Sequence, residues 1–437
     1  MSRPEPRYQW HIEHTVEHPE FKCHVIKMTS QQWLTTKDVD QPVWRHWMTV
    51  TTPVNMRYST AVLIVDGGRN GNDAPQSPSK EAQLVAAQTG TVVVELGQVP
   101  NQPLVFNGDG QPRVEDDLLA YASTKFMDTG DTEWIARLPM VKSVVKAMDT
   151  AQEVVKEKTQ GASAIDKFII VGASKRGWTT WLVGSADPRV AAVVPVVIDC
   201  LNTPKSMEHH FAAYGFWAPA VGDYERHGIL DRLKSPEQHR LLSIDDPYNH
   251  RHRITMPKYV INSAGDQYFL PDSSQFYFDE LVGEKHLRYI PNTDHSLDGS
   301  DVVDSLVAFC RTVLQGQSRP KYSWSFGADG SIDIECGTLP LEVRMWQANN
   351  PTARDFRLQT IGPTYQSTKL KAISQGRYMA ARPEEKQGWT AYFVEMDFPS
   401  DDGPPLKFTS GVRVTPDLLP HANQLEHEPA AVGAAGQ

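Results

Sequence analysis

Five short runs of this chain are apolar almost without interruption, and they constrain its fold more than any other feature. They are Ala61-Val62-Leu63-Ile64-Val65, Thr91-Val92-Val93-Val94-Glu95, Phe168-Ile169-Ile170-Val171, Ala192 to Ile198, and Tyr259-Val260-Ile261. A strand that is apolar on both faces must be covered on both faces, as in a mostly parallel sheet flanked by helices. Between the runs lie helical periodicities. In residues 140–158, Val141, Val144, Val145, Met148, Ala151 and Val155 recur at spacings of three and four, which makes one helix face. Alternating strands and helices predict a doubly wound α/β sheet. After residue 316 the pattern changes. Tyr322-Ser323-Trp324-Ser325-Phe326, Ile332-Asp333-Ile334, residues 341–346 and residues 391–396 alternate apolar with polar, with turn signals such as Asp329-Gly330 between runs. That alternation predicts antiparallel strands, hence a small β-sandwich over 320–417 after a linker at 316–320. The Ala-, Gly-, His- and Glu-rich tail, 421–437, is expected to be disordered.

Charge and composition exclude several classes. Lysine plus arginine number 43 against 53 acidic residues, a net charge of −10, so the basic face that nucleic-acid binding demands is not expected. The longest apolar stretch, Val190 to Ile198, is interrupted by Pro195 and far short of the ~20 residues that span a bilayer. Cys23, Cys200, Cys310 and Cys336 are widely spaced, which disfavours a zinc site and predicts buried free thiols. No metal and no cofactor is expected. The first residues, Met1 to Arg7, lack the apolar core of a leader; the expectation is an intracellular protein, or a secreted or periplasmic one whose leader has been removed.

The sharpest local feature follows the Phe168–Val171 run: Gly172-Ala173-Ser174-Lys175-Arg176-Gly177, then Trp178-Thr179-Thr180-Trp181-Leu182. A serine between small residues, after a buried strand and before a helix, suits a nucleophile. The turn is tight enough that only glycine fits at position 172, and N–H groups at the helix start can face a developing oxyanion. The usual pattern is Gly-x-Ser-x-Gly; here Arg176 stands at the last place and the glycine follows at 177. A phosphate-binding loop is excluded because Trp178, not lysine, follows Gly177. Downstream, residues 258–264 run into Gly265-Asp266-Gln267, and residues 287–290 lead to Asn292-Thr293-Asp294-His295-Ser296 before a helical pattern at 301–314. Ser174, Asp266 and His295 therefore occur in triad order, acid and base each just beyond a strand. Asp294 competes for the acid role but is more suited to shaping its own loop. The second oxyanion donor is expected from Gly67, Gly68 or Arg69, beside the N–H of Lys175.

Other clusters read as structural. His11, His14 and His18 alternate with apolar neighbours as an edge strand would. Glu115 and Asp116 precede a helical pattern, where carboxylates suit the helix dipole. The insertion at about 200–256 carries Phe211, Tyr214, Phe216, Trp217 and Tyr224 with His209 and His210. Its place beyond a strand end predicts a helical cap over an apolar-walled pocket, with Trp217, His209 and His210 as candidate substrate contacts.

With those residues in view, the chain resembles the PhoPQ-activated pathogenicity-related protein family, which includes the autocrine proliferation repressor proteins. The carriers are residues 95–103, Glu115-Asp116-Asp117-Leu118-Leu119-Ala120-Tyr121, residues 172–178, Asp246-Pro247-Tyr248, residues 266–275 and residues 292–297. The resemblance runs from about Trp33 into the C-terminal β-region and implies an α/β-hydrolase fold with Ser174, Asp266 and His295 as its triad; the domain carrying it is expected over 1–316. Where the family usually has a third glycine, this chain has Asp66, a carboxylate beside the expected oxyanion donors. The reading that follows is a metal-independent serine esterase or deacylase acting on a small acylated substrate. The alternatives are a serine peptidase and a non-catalytic secreted signalling or binding protein that keeps the fold. Oligomeric state is not legible.

Overall fold

Each of the five apolar runs is a strand of one sheet. The computed structural model describes residues 5–401 and 403–427. Along the chain come β1 (Gln9–Glu17), β2 (Phe21–Gln32), β3 (Val43–Pro53), β4 (Thr60–Val65), α1 (Lys80–Thr89) and β5 (Val93–Leu96). A short hairpin of β6 (Leu104–Val105) and β7 (Pro112–Arg113) precedes α2 (Glu115–Thr129) and α3 (Arg137–Lys158). Then follow β8 (Lys167–Ala173), α4 (Lys175–Ala186) and β9 (Val190–Val196). The helices α5 (Thr203–Tyr214), α6 (Gly222–Arg226) and α7 (Pro236–Asp245) fill the interval before β10 (Lys258–Ser263), β11 (Lys285–Ile290) and α8 (Val302–Leu314).

The nine strands order as β1-β2-β3-β5-β4-β8-β9-β10-β11. From β5 to β11 all neighbours are parallel, whereas β1, β2 and β3 add an antiparallel edge. The parallel strands are buried nearly throughout: Val62, Val93, Ile169, Val194 and Ile261 are all fully enclosed. β1 behaves differently, alternating exposed and half-buried residues at the sheet margin, as expected for the strand that carries His11 and His14. In a doubly wound sheet the loops beyond the carboxyl ends of the strands form the ligand crevice, so the turns after β4, β8, β10 and β11 share one rim.

The C-terminal part is antiparallel, as the alternation predicts. Strands β12 (Tyr322–Phe326), β13 (Ile332–Cys336), β14 (Glu342–Asn350), the short helix α9 (Leu358–Ile361), β15 (Gln366–Lys369), β16 (Arg377–Ala380), β17 (Trp389–Phe398), β18 (Leu406–Thr409) and β19 (Arg413–Thr415) form sheets of order β12-β13-β16 and β15-β14-β17-β18, with β19 also on β17. These sheets do not stand apart from the rest. Along β17, Tyr392, Val394, Met396 and Phe398 share a core with Ile332 and Ile334 of the smaller sheet and with Tyr259 and Phe309. Ala391 and Phe393, on the other face, join the core of the α/β layer. Tyr259 Oη donates to the Lys407 carbonyl at 2.5 Å, and Tyr289 N–H donates to Thr409 Oγ1 at 3.0 Å. The segments before and after the expected linker at 316–320 thus pack against each other in both large apolar clusters. Of the tail expected to be disordered, residues 422–427 form a 3-10 turn, and His421 N–H donates to the Ala212 carbonyl of α5 at 2.9 Å; residues 428–437 lie outside the described residues. All four cysteines are buried free thiols.

Candidate active site

The turn after β8 is tight. Ser174 sits at φ 57°, ψ −127°, between β8 and the first turn of α4. A non-glycine residue in that region costs about 1–3 kcal/mol and persists only where its surroundings enforce it. Here the enforcement is steric. A Cβ on Gly172 would lie 2.5 Å from the Arg176 carbonyl oxygen, and one on Gly177 would lie 2.9 Å from that of Gly172. The two glycines let helix and strand backbones touch, so the glycine displaced by one position serves the same close approach while Arg176 is accommodated at the usual place.

His295 and Asp266 meet across their two loops. Asp266, 4% exposed, accepts from His295 Nδ1 at 2.8 Å, and its other oxygen accepts from the Tyr268 N–H at 2.7 Å. Gln267 Oε1 accepts the His295 backbone N–H at 3.0 Å, and the Tyr268 ring lies 4.4 Å from the imidazole. The ring is therefore held with Nδ1 toward the carboxylate. Its Nε2 is buried and has no hydrogen-bond partner among the described residues. Asp294 instead accepts from the backbone N–H and the hydroxyl of Ser296, at 2.9 and 2.7 Å, and so folds its own loop.

The loop after β4 is fastened to the one after β5. Gln98 N–H donates to the Gly67 carbonyl at 2.6 Å, Gln98 Nε2 to that of Arg69 at 2.9 Å and Gln102 Nε2 to that of Gly68 at 3.1 Å. Of the expected oxyanion donors, Gly67 N–H is already given to Asp66 Oδ1 at 2.7 Å. The backbone N–H groups of Gly68, Arg69 and Lys175 have no partner among the described residues. Asp66 thus removes one donor from the expected set and leaves its neighbours.

Glu115 is more than the helix-terminal carboxylate that its position suggests. Its carboxylate accepts from Arg176 Nη1 and Nη2 at 2.7 and 2.8 Å, pairs with Lys175 Nζ at 2.8 Å, and accepts from Gln102 Nε2. Arg176 Nε also donates to the Val99 carbonyl at 2.5 Å. Burial alone would raise the Glu115 pKa, but Arg176 and Lys175 outweigh it and hold it down at about 2. One side chain therefore joins the serine turn, α2 and the loop that fastens the glycines. The sequence carried a signal for this. Two adjacent cations at a helix start oppose the dipole, so Lys175-Arg176 calls for a counter-charge that the acidic run at 115–117 can provide.

Ser174 lines a cavity of about 100 Å³ whose walls are mostly apolar, including Trp178, Met207, Leu230, Leu233, Leu241 and Phe269. Helices α5 and α7 supply much of it. Of the cap residues singled out from sequence, Tyr224 lines it, whereas Trp217, His209 and His210 do not. Trp217 packs against the His210 and Phe211 rings at 5.7 and 5.1 Å, outside the cavity. His210 Nε2 accepts the Ala218 N–H at 3.0 Å, and burial pushes its pKa down to about 3, so it is a neutral packing group. His209 pairs with Asp272 at 3.0 Å, and Arg354 reaches the same carboxylate at 2.5 Å. That buried cluster joins the cap to the C-terminal region. Most aromatics of the insertion serve cap packing, with Tyr224 the one that reaches the cavity; its remaining walls join aliphatic side chains of amphipathic helices to Trp178, Tyr268 and Phe269 from outside the cap.

The mainly parallel sheet, the antiparallel edge and the helices between β9 and β10 define an α/β-hydrolase fold. The chain belongs to the PhoPQ-activated pathogenicity-related protein family, whose model matches residues 1–357. It is 39% identical over 465 residues to autocrine proliferation repressor protein A of Dictyostelium discoideum, covering 100% of this chain and 93% of that protein. Among solved structures it is similar to an acetyl xylan esterase from Paenibacillus sp. R4, with TM-score 0.47 and 15% identity over 72% of this chain and 90% of that one. A glucuronoyl esterase from Solibacter usitatus gives TM-score 0.43 and 13% identity over 72% and 87%.

Proposed function

We propose that this protein is a serine hydrolase that cleaves short acyl esters, with Ser174 as nucleophile, His295 as base and Asp266 as its positioning acid. The observation that carries this reading is the placement, beyond the carboxyl ends of parallel strands of one sheet, of a strained serine lining an apolar cavity and of an imidazole anchored through Nδ1 by a buried carboxylate. With Nδ1 committed to Asp266, Nε2 is the free nitrogen and takes the proton as Ser174 Oγ adds to the acyl carbonyl. Asp266 keeps that tautomer and stabilises the imidazolium. The tetrahedral oxyanion is received by the N–H of Lys175 and one from Gly68 or Arg69, each such donor typically contributing about 3 kcal/mol. His295 then returns the proton to the leaving alkoxide, and water repeats the cycle on the acyl-enzyme. The roof formed by α5 and α7 favours a small acyl group over an extended polypeptide.

A fluorophosphonate probe should label the wild type and leave Ser174→Ala unlabelled, and that variant should lose turnover of p-nitrophenyl acetate by ~10³-fold or more. Equal hydrolysis by Ser174→Ala would refute the assignment. It would favour a non-catalytic role for the fold, in keeping with the name of the Dictyostelium relative.

A further inference from the structure

The cavity beside Ser174 is not apolar throughout. Arg137 at the start of α3 and Gln238 and Asp245 near the two ends of α7 all line it, and they are 7%, 3% and 3% exposed. Part of their bonding capacity is used. Arg137 Nη1 donates to Asp245 Oδ2 at 2.9 Å, and the guanidinium lies 4.2 Å over the Trp178 ring. Trp178 Nε1 donates to the Asp245 carbonyl at 2.6 Å, which fixes the end of α7 beside the ring. Ser235 caps the Gln238 backbone N–H at 3.1 Å. Three side-chain atoms remain without a partner among the described residues: Arg137 Nε, Gln238 Oε1 and Asp245 Oδ1. Buried polar atoms in folded proteins are overwhelmingly paired. One donor and two acceptors left over on buried residues that line a single cavity are complementary to a guest that offers two donors and one acceptor.

Resting on the reading of Ser174 as nucleophile, we propose that the preferred acyl group is a short chain ending in a neutral group that both donates and accepts hydrogen bonds, best matched by a primary carboxamide. Its carbonyl accepts from Arg137 Nε, and its two N–H bonds are given to Gln238 Oε1 and Asp245 Oδ1, so all three atoms are used. The methylenes lie against Met207, Leu233 and Leu241. A hydroxyl tip satisfies part of the set. A methyl tip leaves all three atoms unpaired. A carboxylate tip brings negative charge to two acceptors where Arg137 is already neutralised by Asp245. The volume of about 100 Å³ restricts the chain to a few carbons, since a cavity of roughly 150 Å³ is what accommodates a benzene ring.

The test uses p-nitrophenyl esters of equal length and shape that differ only at the tip: 4-carbamoylbutanoate, 5-oxohexanoate and the glutarate half-ester, with the acetate as a substrate that has no tip. The carboxamide should exceed the methyl ketone in kcat/KM by ~20-fold or more, because sites built to bond an N–H discriminate strongly against analogues that lack it. The carboxylate should be the slowest of the three. In Gln238→Leu the carboxamide preference should fall to about threefold or less, the gain from one paired acceptor being lost. Equal rates for carboxamide and ketone in the wild type would overturn the proposal, and that comparison requires no variant to fold. Retention of the full ratio by Gln238→Leu would overturn it as well. Binding to Ser174→Ala, measured by calorimetry with butanamide and its isostere 2-pentanone, separates this inference from the hydrolase reading. If even the acetate is not cleaved, the Ser174 assignment fails. The polar pocket then stands if butanamide binds at least ~5-fold more tightly, a single hydrogen bond's worth of discrimination, and falls if the two bind alike.

Discussion

Replacing Glu115 by Gln tests whether the serine turn is held by charge. The substitution keeps the size of the side chain, but an amide N–H would face the guanidinium N–H that the lost oxygen had accepted at 2.7 or 2.8 Å. It also leaves Lys175 and Arg176, whose side chains are only 7% and 11% exposed, short of an anion. Breaking a fully buried pair by removing one partner costs about 3–5 kcal/mol, and an exposed pair contributes about 0–1. The Glu115 side chain is 37% exposed, and Asp116 remains 3.4 Å from Lys175, so screening and the second carboxylate bring the expected loss to about 2 kcal/mol. The assay is urea unfolding of wild type and variant across pH. The folded pKa of Glu115 lies at about 2, below its ordinary 4.5. The folded state therefore binds this proton less tightly than the unfolded one, and the stabilisation is complete above pH 4.5 and disappears as pH falls through about 2. The gap between the two proteins should be constant from pH 8 to 5 and close on further acidification. Because Gln102 and the glycine loop hang from the same carboxylate, kcat for p-nitrophenyl acetate should fall about tenfold with KM little changed, as for an interaction felt mainly in the transition state. A gap that is absent at pH 7, or that widens toward pH 3, would refute the reasoning.

Other perturbations separate the roles of the neighbouring groups. Asp266→Asn should lower kcat by ~10³-fold or more with the fold intact, because an amide at 266 no longer enforces the Nδ1–H tautomer; circular dichroism and steady-state kinetics check both halves. Leu241→Trp should fill the acyl cavity, so that kcat/KM for the butyrate ester drops at least ~10-fold relative to the acetate, as steric exclusion of two methylenes predicts. Trp217→Ala should lower stability by about 2 kcal/mol, as for a half-buried aromatic, while KM for the acetate stays unchanged. A raised KM with unchanged stability would return Trp217 to the substrate site.

The division between what the sequence determined and what needed the tertiary structure follows the range over which each constraint acts. Strands β4, β5, β8, β9 and β10 were legible because burial on both faces is recorded in consecutive residues, and the Gly172–Gly177 turn because its steric demand is local. The order of Ser174, Asp266 and His295 was equally visible, since each lies in the loop or turn that follows a strand. Which carboxylate reaches the imidazole depended on where the loops after β10 and β11 meet, and this set Asp266 against His295 and turned Asp294 to Ser296. The Glu115 pairings join residues 60 and 61 positions apart, and no local pattern records such a distance. In the cap, aromatics stood out by composition, yet helix orientation decided that Trp217 packs on its own segment while Leu233, Leu241 and Met207 face the cavity. Likewise the alternation of the C-terminal strands foretold antiparallel sheets but not that β17 is buried on both faces, because the second face is covered by residues from the α/β layer. Local sequence encodes which elements form and which turns they need. The pairing of charges, the lining of the cavity and the sharing of a core belong to the packing, because each is a relation between segments far apart in the chain.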